Sequence, residues 1–336
     1  MKEKGILAAL VVAMLLLAMA NLLWGSLKIP TADAWRILWG GDAEGHPTWT
    51  FIIRGSRMPQ MFTALLSGAA LSSCGLMLQT YFRNPLAGPS ILGIDAGANL
   101  GVAIVTLLLG GNLALGSLSL GGHLLTIAAS MTGALCTMIL LLFLSSLLRS
   151  QTMLLITGIL ISYATGSLIA LLNYHATEQG VHSFMMWGLG TYANVSAERL
   201  PLFCCLIGVG LFGVLLLIKP MDALLLGDRY AENLGISLRR TRNGILLCTG
   251  LLTATTTAFC GPISFLGLAV PHLARIALGT SIHRILLPGT MLMGACLSLL
   301  CNLLSTLPAQ GGLIPINVLT PLIGAPVILY VILQKQ

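Results

Sequence analysis

Long apolar runs separated by short polar breaks set the pattern of this chain. A helix needs about 20 apolar residues to cross a bilayer. On that ruler the runs predict ten spans, roughly 6–25, 59–82, 92–110, 122–148, 152–173, 200–218, 243–260, 262–278, 285–304 and 313–333. The expected fold class is an all-α polytopic membrane protein, with residues 1–336 forming a single transmembrane unit. At the N-terminus Lys2 and Lys4 precede the run Ile6–Leu23, and Ala18-Met-Ala20 resembles a signal-peptidase site. The apolar run continues through Leu22, Leu23 and Trp24, so a retained first helix is expected. Lys28–Arg57 carries too few apolar residues to form a domain of its own.

The most heavily charged break is Lys219–Arg242, which holds eight of the chain's 27 Asp, Glu, Lys and Arg residues. Its five cations predict a cytoplasmic loop, because basic residues collect on that side. Gly227-Asp228 can cap a short helix over Arg229–Leu234, Gly235 can stop it, and Ser237 can cap the next run. A compact helix–turn–helix of this kind suits a docking surface. With both termini inside, twelve basic residues fall on the inner side and five (Lys28, Arg36, Arg54, Arg57 and Arg199) on the outer side. All five tryptophans then lie on or near the outer side, as an interfacial belt would.

Composition agrees: 56% of residues are hydrophobic, 8% are charged, and the mean hydropathy is +0.94. Soluble domains carry about 25% charged residues. The net charge of +7 implies no nucleic-acid partner, since the cations lie where membrane topology puts them. The eight cysteines have neither metal-knuckle nor disulfide spacing and read as small buried hydrophobes. Gly93, Gly97 and Gly101 recur every fourth residue and predict a flat face for close helix packing.

Several motifs then point one way. The run GAALSSCGLMLQTYFRNPLAGPSILGIDAGA, starting at Gly68, strongly resembles the permease family of bacterial ABC importers for iron–siderophores, haem and cobalamin, the type II importers. Trp187-Gly-Leu-Gly190, Leu226-Gly-x3-Ala231-x2-Leu-Gly235 with Arg242, Gly261-Pro-Ile-Ser-Phe-Leu-Gly267-Leu-x2-Pro271-His272-x2-Arg275, and Thr320 to Gly324-Ala-Pro326 follow in the family's order. The resemblance implies a multi-pass permease of the bacterial inner membrane. It implies a homodimer joined by two ATPase subunits and a periplasmic binding protein, with cargo passing between protomers. By the same resemblance Leu226, Gly227, Ala231, Leu234, Gly235, Arg239 and Arg242 couple to the ATPase. An iron chelate, siderophore or haem, is the expected cargo, and cobalamin is the alternative.

Two departures stand out. The family's Arg-x-Pro-Arg, whose arginines pair with glutamates of the binding protein, reads Arg57-Met-Pro-Gln60 here. Its Leu-Pro-Val-Gly reads Ile314-Pro-Ile-Asn317. Arg57, Gln60 and Arg54 are therefore the expected binding-protein contacts, at an outer mouth that also carries Arg199. Independently of the family, Gly88-Pro-Ser-Ile-Leu-Gly93 echoes Gly261-Pro-Ile-Ser-Phe-Leu-Gly267. The ten-span topology puts the first inside and the second outside, as an inverted repeat requires.

Other chemistries find little support. No Gly-x4-Gly-Lys-Ser/Thr occurs, so ATP and its Mg belong on a partner subunit, and no cofactor or metal site is expected in this chain. Ion-coupled transport leaves ionisable residues in the bilayer. Asp95 is the candidate for that, near the inner end of the third span. A hydrolase reading would recruit Thr280, Ser281, His283 or His272, but no carboxylate is seen to orient either histidine, and no catalytic residue is expected. Small polar side chains are the candidates for the transport path: Ser162, Tyr163, Thr165 and Ser167 on one span, Thr253, Thr255, Thr256 and Thr257 on another. The competing reading is that they bond their own helix carbonyls.

Overall fold

The computed structural model describes residues 2–41, 46–110, 112–115, 118–148, 150–307 and 312–333. Arg149 and Lys335, counted above among the inner cations, lie outside the described residues, as does the side chain of Lys2.

The first apolar run forms α1 (Lys2–Leu23). The polar segment after it is not irregular. It folds as α2 (Thr31–Leu38) and α3 (Pro47–Phe51), and α3 continues through a π-helical turn, Ile52–Arg57, into α4 (Met58–Tyr81). α2 is amphipathic and buries Ala34 and Ile37 against Ile29 and Ile53, a small core separate from the main one. The third run forms α5 (Ile94–Ala103), extended by a π-helical turn to Leu108. Beyond it a short hairpin interrupts the helical fold: Asn112–Leu115 pairs antiparallel with Leu118–Gly121, Asn112 opposite Gly121.

The remaining runs form α6 (His123–Leu147), α7 (Gln151–His175), α8 (Glu178–Gly188) and α9 (Leu200–Leu216). α10 (Ile218–Leu225) continues α9 after a 45° bend. The charged segment carries α11 (Asp228–Asn233), and α12 (Leu238–Cys260), α13 (Leu266–Leu278), α14 (His283–Ser305) and α15 (Ile316–Leu333) complete the chain. Among the described residues, six helices are long and apolar enough to cross a membrane, and the bent α9–α10 pair makes a seventh. Shorter apolar helices at Ile94–Leu108, Leu266–Leu278 and Ile316–Pro326 lie in the other three expected runs but fall short of span length.

α4 and α12 are the most deeply buried of the long apolar helices. Lipid tails are as apolar as leucine, so membrane helices associate through close packing of small residues. α4 supplies them as Gly68, Ala69, Ala70, Ser72, Ser73 and Gly75, all buried. A Cβ on Gly68 would overlap the carbonyl of Gly294 in α14, and one on Gly75 the carbonyl of Gly267 in α13. Gly97 and Gly101 of α5 meet Gly133, Ala129 and Thr137 of α6 in the same way, which is the flat face their spacing predicts. Gly93 has a different part: it is left-handed (φ 79°) and starts α5. Asn21 adds polar glue, its Nδ2 donating to Leu299 O at 3.0 Å and its Oδ1 accepting from Asn302 Nδ2 at 2.8 Å. α1, α6 and α7 leave Leu16, Phe143 and Leu160 exposed, as lipid-facing or subunit-facing helices do.

The echoing Gly-Pro segments are not on opposite sides. Pro89 lies against Gly267, and Gly88–Ile91 and Ile263–Leu268 line one cleft of about 260 Å³. Both are breaks that run back into the bundle before the next helix starts, so they meet within it.

Gly75→Val places three side-chain carbons, two of them methyls, where a carbonyl stands. The expected loss exceeds the ~1–3 kcal/mol usual for overpacking. It should appear as a lower yield of folded protein and a lower Tm in detergent. Gly166→Ala, with nothing within 4 Å of the added carbon, should match wild type.

Candidate functional site

The charged segment folds much as its residues predict. Leu224 and Met221 bury α10 against α4 and α14, and the chain leaves the bundle at Leu226. Gly227 takes φ 106°, turning the chain into α11 without a side-chain cap. Asp228 and Glu232 lie on this helix, and Asp228, in its first turn, faces the positive end of the helix dipole. At the other end Ile236 N–H donates to Ala231 O at 3.0 Å and Gly235 N–H to Glu232 O at 2.9 Å. With Gly235 at φ 80°, this is a Schellman stop. Ser237 Oγ then accepts from Arg240 N–H and starts α12.

Three side chains project from this unit at four-residue spacing: Leu226, Tyr230 and Leu234, exposed by 62, 67 and 63%. An apolar row on an otherwise charged segment marks an interaction surface. Tyr230 belongs to it, although its motif position is unconstrained; its exposure between the two exposed leucines identifies it. Ala231 points the other way and is fully buried, so it seats the helix and does not contact a partner. Arg239 is exposed, while Arg242 is half-buried and donates to Asn243 Oδ1 at 3.4 Å. Arg239, Arg242 and Glu232 line a cleft of about 850 Å³, whose other wall includes Tyr81, Ser146 and Gln151. Arg83, itself left-handed (φ 47°), pairs with Asp228 at 2.5 Å and ties the turn after α4 to α11. Both side chains are substantially exposed, so the pair is worth only about 0–1 kcal/mol.

The Pro271-His272-x2-Arg275 motif serves the same end of the bundle. His272 Nε2–H donates to Pro85 O at 2.8 Å, and Arg275 Nη1 donates to Gln79 Oε1 at 2.6 Å. Gln79 Nε2 donates in turn to Leu268 O at 3.2 Å. The expectation that no carboxylate orients a histidine is wrong: Asp222 Oδ1 lies 2.9 Å from Nδ1 of His283, and the partner opposite is Thr80. Asp222 and His283 are 61 residues apart in the chain, so nothing local announces the pair.

At the far end of the bundle the expected docking residues are placed otherwise. Arg57 is 7% exposed. Its guanidinium donates to the carbonyls of Leu22 and Leu23, both at 3.0 Å, and to that of Leu27. It caps the end of α1, which a rim contact could not do. Gln60 is buried as well. Arg54 stays at the surface, donating to Ile37 O at 2.8 Å and Gly41 O at 3.1 Å. The departure at Asn317 has a structural use: its Nδ2 donates to Gly188 O and Pro262 O, and its Oδ1 accepts from Ser264 N–H. One side chain thus joins the Trp187–Gly190 segment, the Gly261–Phe265 break and α15.

The candidate path residues divide. Thr255 and Thr256 are fully buried in α12, and Thr256 bonds Leu252 O and Thr253 O of its own helix. Ser162 and Thr165 likewise bond Gly158 O and Ile161 O. The open face of α7 is carried by Tyr163, Ser167 and Leu168. Asp95 is not at the α11 end. Its oxygens accept from Thr257, close to the opposite end of α12, at 2.7 Å and from Ser90 at 3.0 Å.

The model of the FecCD transport family matches residues 12–334. An uncharacterized ABC transporter permease of Bacillus subtilis, YvrB, is 34% identical over 93% of this chain and 88% of its own length. The hemin transport system permease HmuU of Yersinia pestis is 32% identical over 98% of this chain and 96% of its own. The vitamin B12 import system permease BtuC of Citrobacter koseri is 32% identical over 89% of this chain and 90% of its own. A solved structure of a putative metal-chelate type ABC transporter, in an inward-facing conformation, superposes with a TM-score of 0.82 at 29% identity. It covers 99% of this chain and all of that one.

Because Arg57 satisfies the end of α1, Arg57→Ala should leave its carbonyls unpaired, at about 1–3 kcal/mol. Arg57→Glu should cost more, since a carboxylate would face those carbonyls. Thermal unfolding in detergent checks both; a Tm equal to wild type in Arg57→Glu would contradict the buried cap.

Proposed function

The chain belongs to the FecCD transport family and is a membrane permease of an ABC importer, and we propose that its cargo is an iron chelate, a siderophore complex or haem, moved from periplasm to cytoplasm. Such permeases act with an ATPase and a substrate-binding protein and are not enzymes themselves. The observation that favours an iron chelate is the alignment with the hemin permease over 98% of this chain, against 89% for the vitamin B12 permease. The likeness to a metal-chelate type transporter points the same way. Cobalamin is the second reading, supported by the 32% identity to BtuC.

In this proposal the whole chain is one permease unit of ten spans in the bacterial inner membrane, with α11 and both termini on the cytoplasmic side. Two copies pair, cargo passes between them, and the open face of α7 contributes to the path. ATP and Mg stay on two ATPase subunits, and this chain binds no cofactor or metal of its own. Leu226, Tyr230 and Leu234 dock on the ATPase, Gly227 and Gly235 set the angle of α11, and Arg239 and Arg242 flank it. Arg54 and Arg199 replace Arg57 as the cations offered to the binding protein. Ion coupling is disfavoured because Asp95 is engaged by Thr257 and Ser90.

Vesicles holding the permease with its ATPase and binding protein should import a ferric siderophore or haemin only when ATP is inside, whatever the proton or sodium gradient. Import of cyanocobalamin alone would move the cargo to the second reading. Gradient-driven import by the isolated chain would overturn the ATP-driven one.

A second outcome concerns the stop of α11. Nothing lies within 4 Å of a Cβ on Gly235, so Gly235→Val is penalised only by its left-handed backbone, at about 1–2 kcal/mol. The variant should fold and insert, yet bind its ATPase several-fold more weakly in pull-down titrations.

A further inference from the structure

Three helices of the α11 end, α4, α10 and α14, meet at one buried imidazole. His283, the first residue of α14, is 1% exposed. Its backbone N–H donates to Asp222 Oδ1 at 2.6 Å, and its Nδ1 lies 2.9 Å from the same oxygen. On the other side its Nε2 is 2.8 Å from Thr80 Oγ1, which sits 2.9 Å from Leu76 O. In either protonation state Nδ1–H donates to the carboxylate. A neutral ring accepts from the Thr80 hydroxyl, and a charged ring donates to it while that hydroxyl turns to Leu76. The chain of bonds from α10 through α14 to α4 is therefore continuous in both cases. α14 has no side-chain cap of its own, so Asp222, reaching across from α10, also satisfies the first N–H of the helix and faces its positive end.

The position of Asp222 gives this arrangement its consequence. α10 bends 45° away from α9 and is separated from α11 by Leu226 and Gly227 alone. A displacement of α11 on the N-terminal side therefore enters the bundle through α10. The buried residues of α10, which packs on α4 and α14, are Met221, Ala223 and Leu224, and apolar contacts are non-directional. Hydrogen bonds through a buried imidazole are directional and fix one geometry. α4 and α14, the helices it reaches, are packed backbone to backbone at Gly68 and Gly294.

We propose that Asp222, His283 and Thr80 are positioning residues that transmit movement of α11 to the α4–α14 pair, so that ATP hydrolysis and cargo movement stay linked. The proposal rests on the permease reading above. It assigns these three residues no contact with cargo, nucleotide or the ATPase.

The test compares uptake and hydrolysis in vesicles holding the full transporter. The probe is haemin, a ferric hydroxamate or cyanocobalamin, whichever wild type imports. Thr80→Val keeps shape and removes the hydroxyl, whereas Thr80→Ser keeps it. In Thr80→Val, cargo imported per ATP hydrolysed should fall about tenfold, within the usual range of coupling between two sites. The hydrolysis rate should stay within about twofold of wild type, below the range expected for site-to-site coupling. Thr80→Ser should restore the ratio. Asp222→Ala should show the same split, and the double variant Thr80→Val/Asp222→Ala should be no worse than the poorer single, as for residues acting through one chain. A proportional fall in import and hydrolysis would make the cluster merely structural and overturn the proposal. An unchanged ratio in Thr80→Val, or a serine that behaves like valine, would overturn it equally. If Asp222→Ala fails to fold, the Thr80 pair alone decides. Failure of wild type to import any of the three probes with ATP would instead defeat the permease reading, so the two failures are distinguishable.

Discussion

Hydrocarbon cannot hydrogen-bond a peptide group, so a helix that stops in or near a bilayer must have its end satisfied by other parts of the protein. This chain stops its helices often, and at several of these breaks a polar side chain reaches across to meet the backbone. Arg57 takes the last carbonyls of α1, Asn317 bridges the break between α12 and α13, His272 holds the carbonyl of Pro85, and Asp222 meets the first amide of α14. These residues are few in a chain with 8% charged residues, and most of them serve the fold before they serve anything else.

Small residues supply the complementary half of the construction. Where α4 crosses α13 and α14, and where α5 crosses α6, glycines let backbones touch. That brings the half-length helices α5 and α13 deep into the bundle and sets the Gly88–Ile91 and Ile263–Leu268 breaks face to face. The packed centre then supports a lighter periphery. α11 stands on α10 and on the start of α12, anchored by Ala231 and tied to the turn after α4 by Arg83–Asp228. Leu226, Tyr230 and Leu234 stay exposed outside this packed assembly.

The same constraint explains where expectations failed. Arg57, beside Pro59 in a motif that in the family meets a binding protein, looked like a rim cation. The π-helical turn at Ile52–Arg57 turns it instead toward the end of α1. Thr255 and Thr256 looked like path residues because they are small and polar. They are buried on a helix packed by α4, α5, α6 and α9. His283 looked unsupported because its carboxylate comes from a helix 61 residues earlier in the chain.

What the sequence by itself determined was what depends on local composition and short spacing. Apolar runs of span length placed the long helices within a few residues, since the hydrophobic length of a bilayer is a property of the run alone. The turn chemistry of Gly227, Gly235 and Ser237 defined α11 and the start of α12, because backbone conformation at a glycine or a cap is decided by its immediate neighbours. The four-residue repeat at Gly97 and Gly101 announced a packing face. Only the tertiary structure decided which face met which helix. It alone showed that Arg57 is a cap, that two echoing turns share one cleft, and that Asp222, His283 and Thr80 form one chain. Those outcomes depend on hydrogen bonds and close contacts between residues far apart in sequence, and a run of residues carries no direct record of the distance between its side chains and those of another.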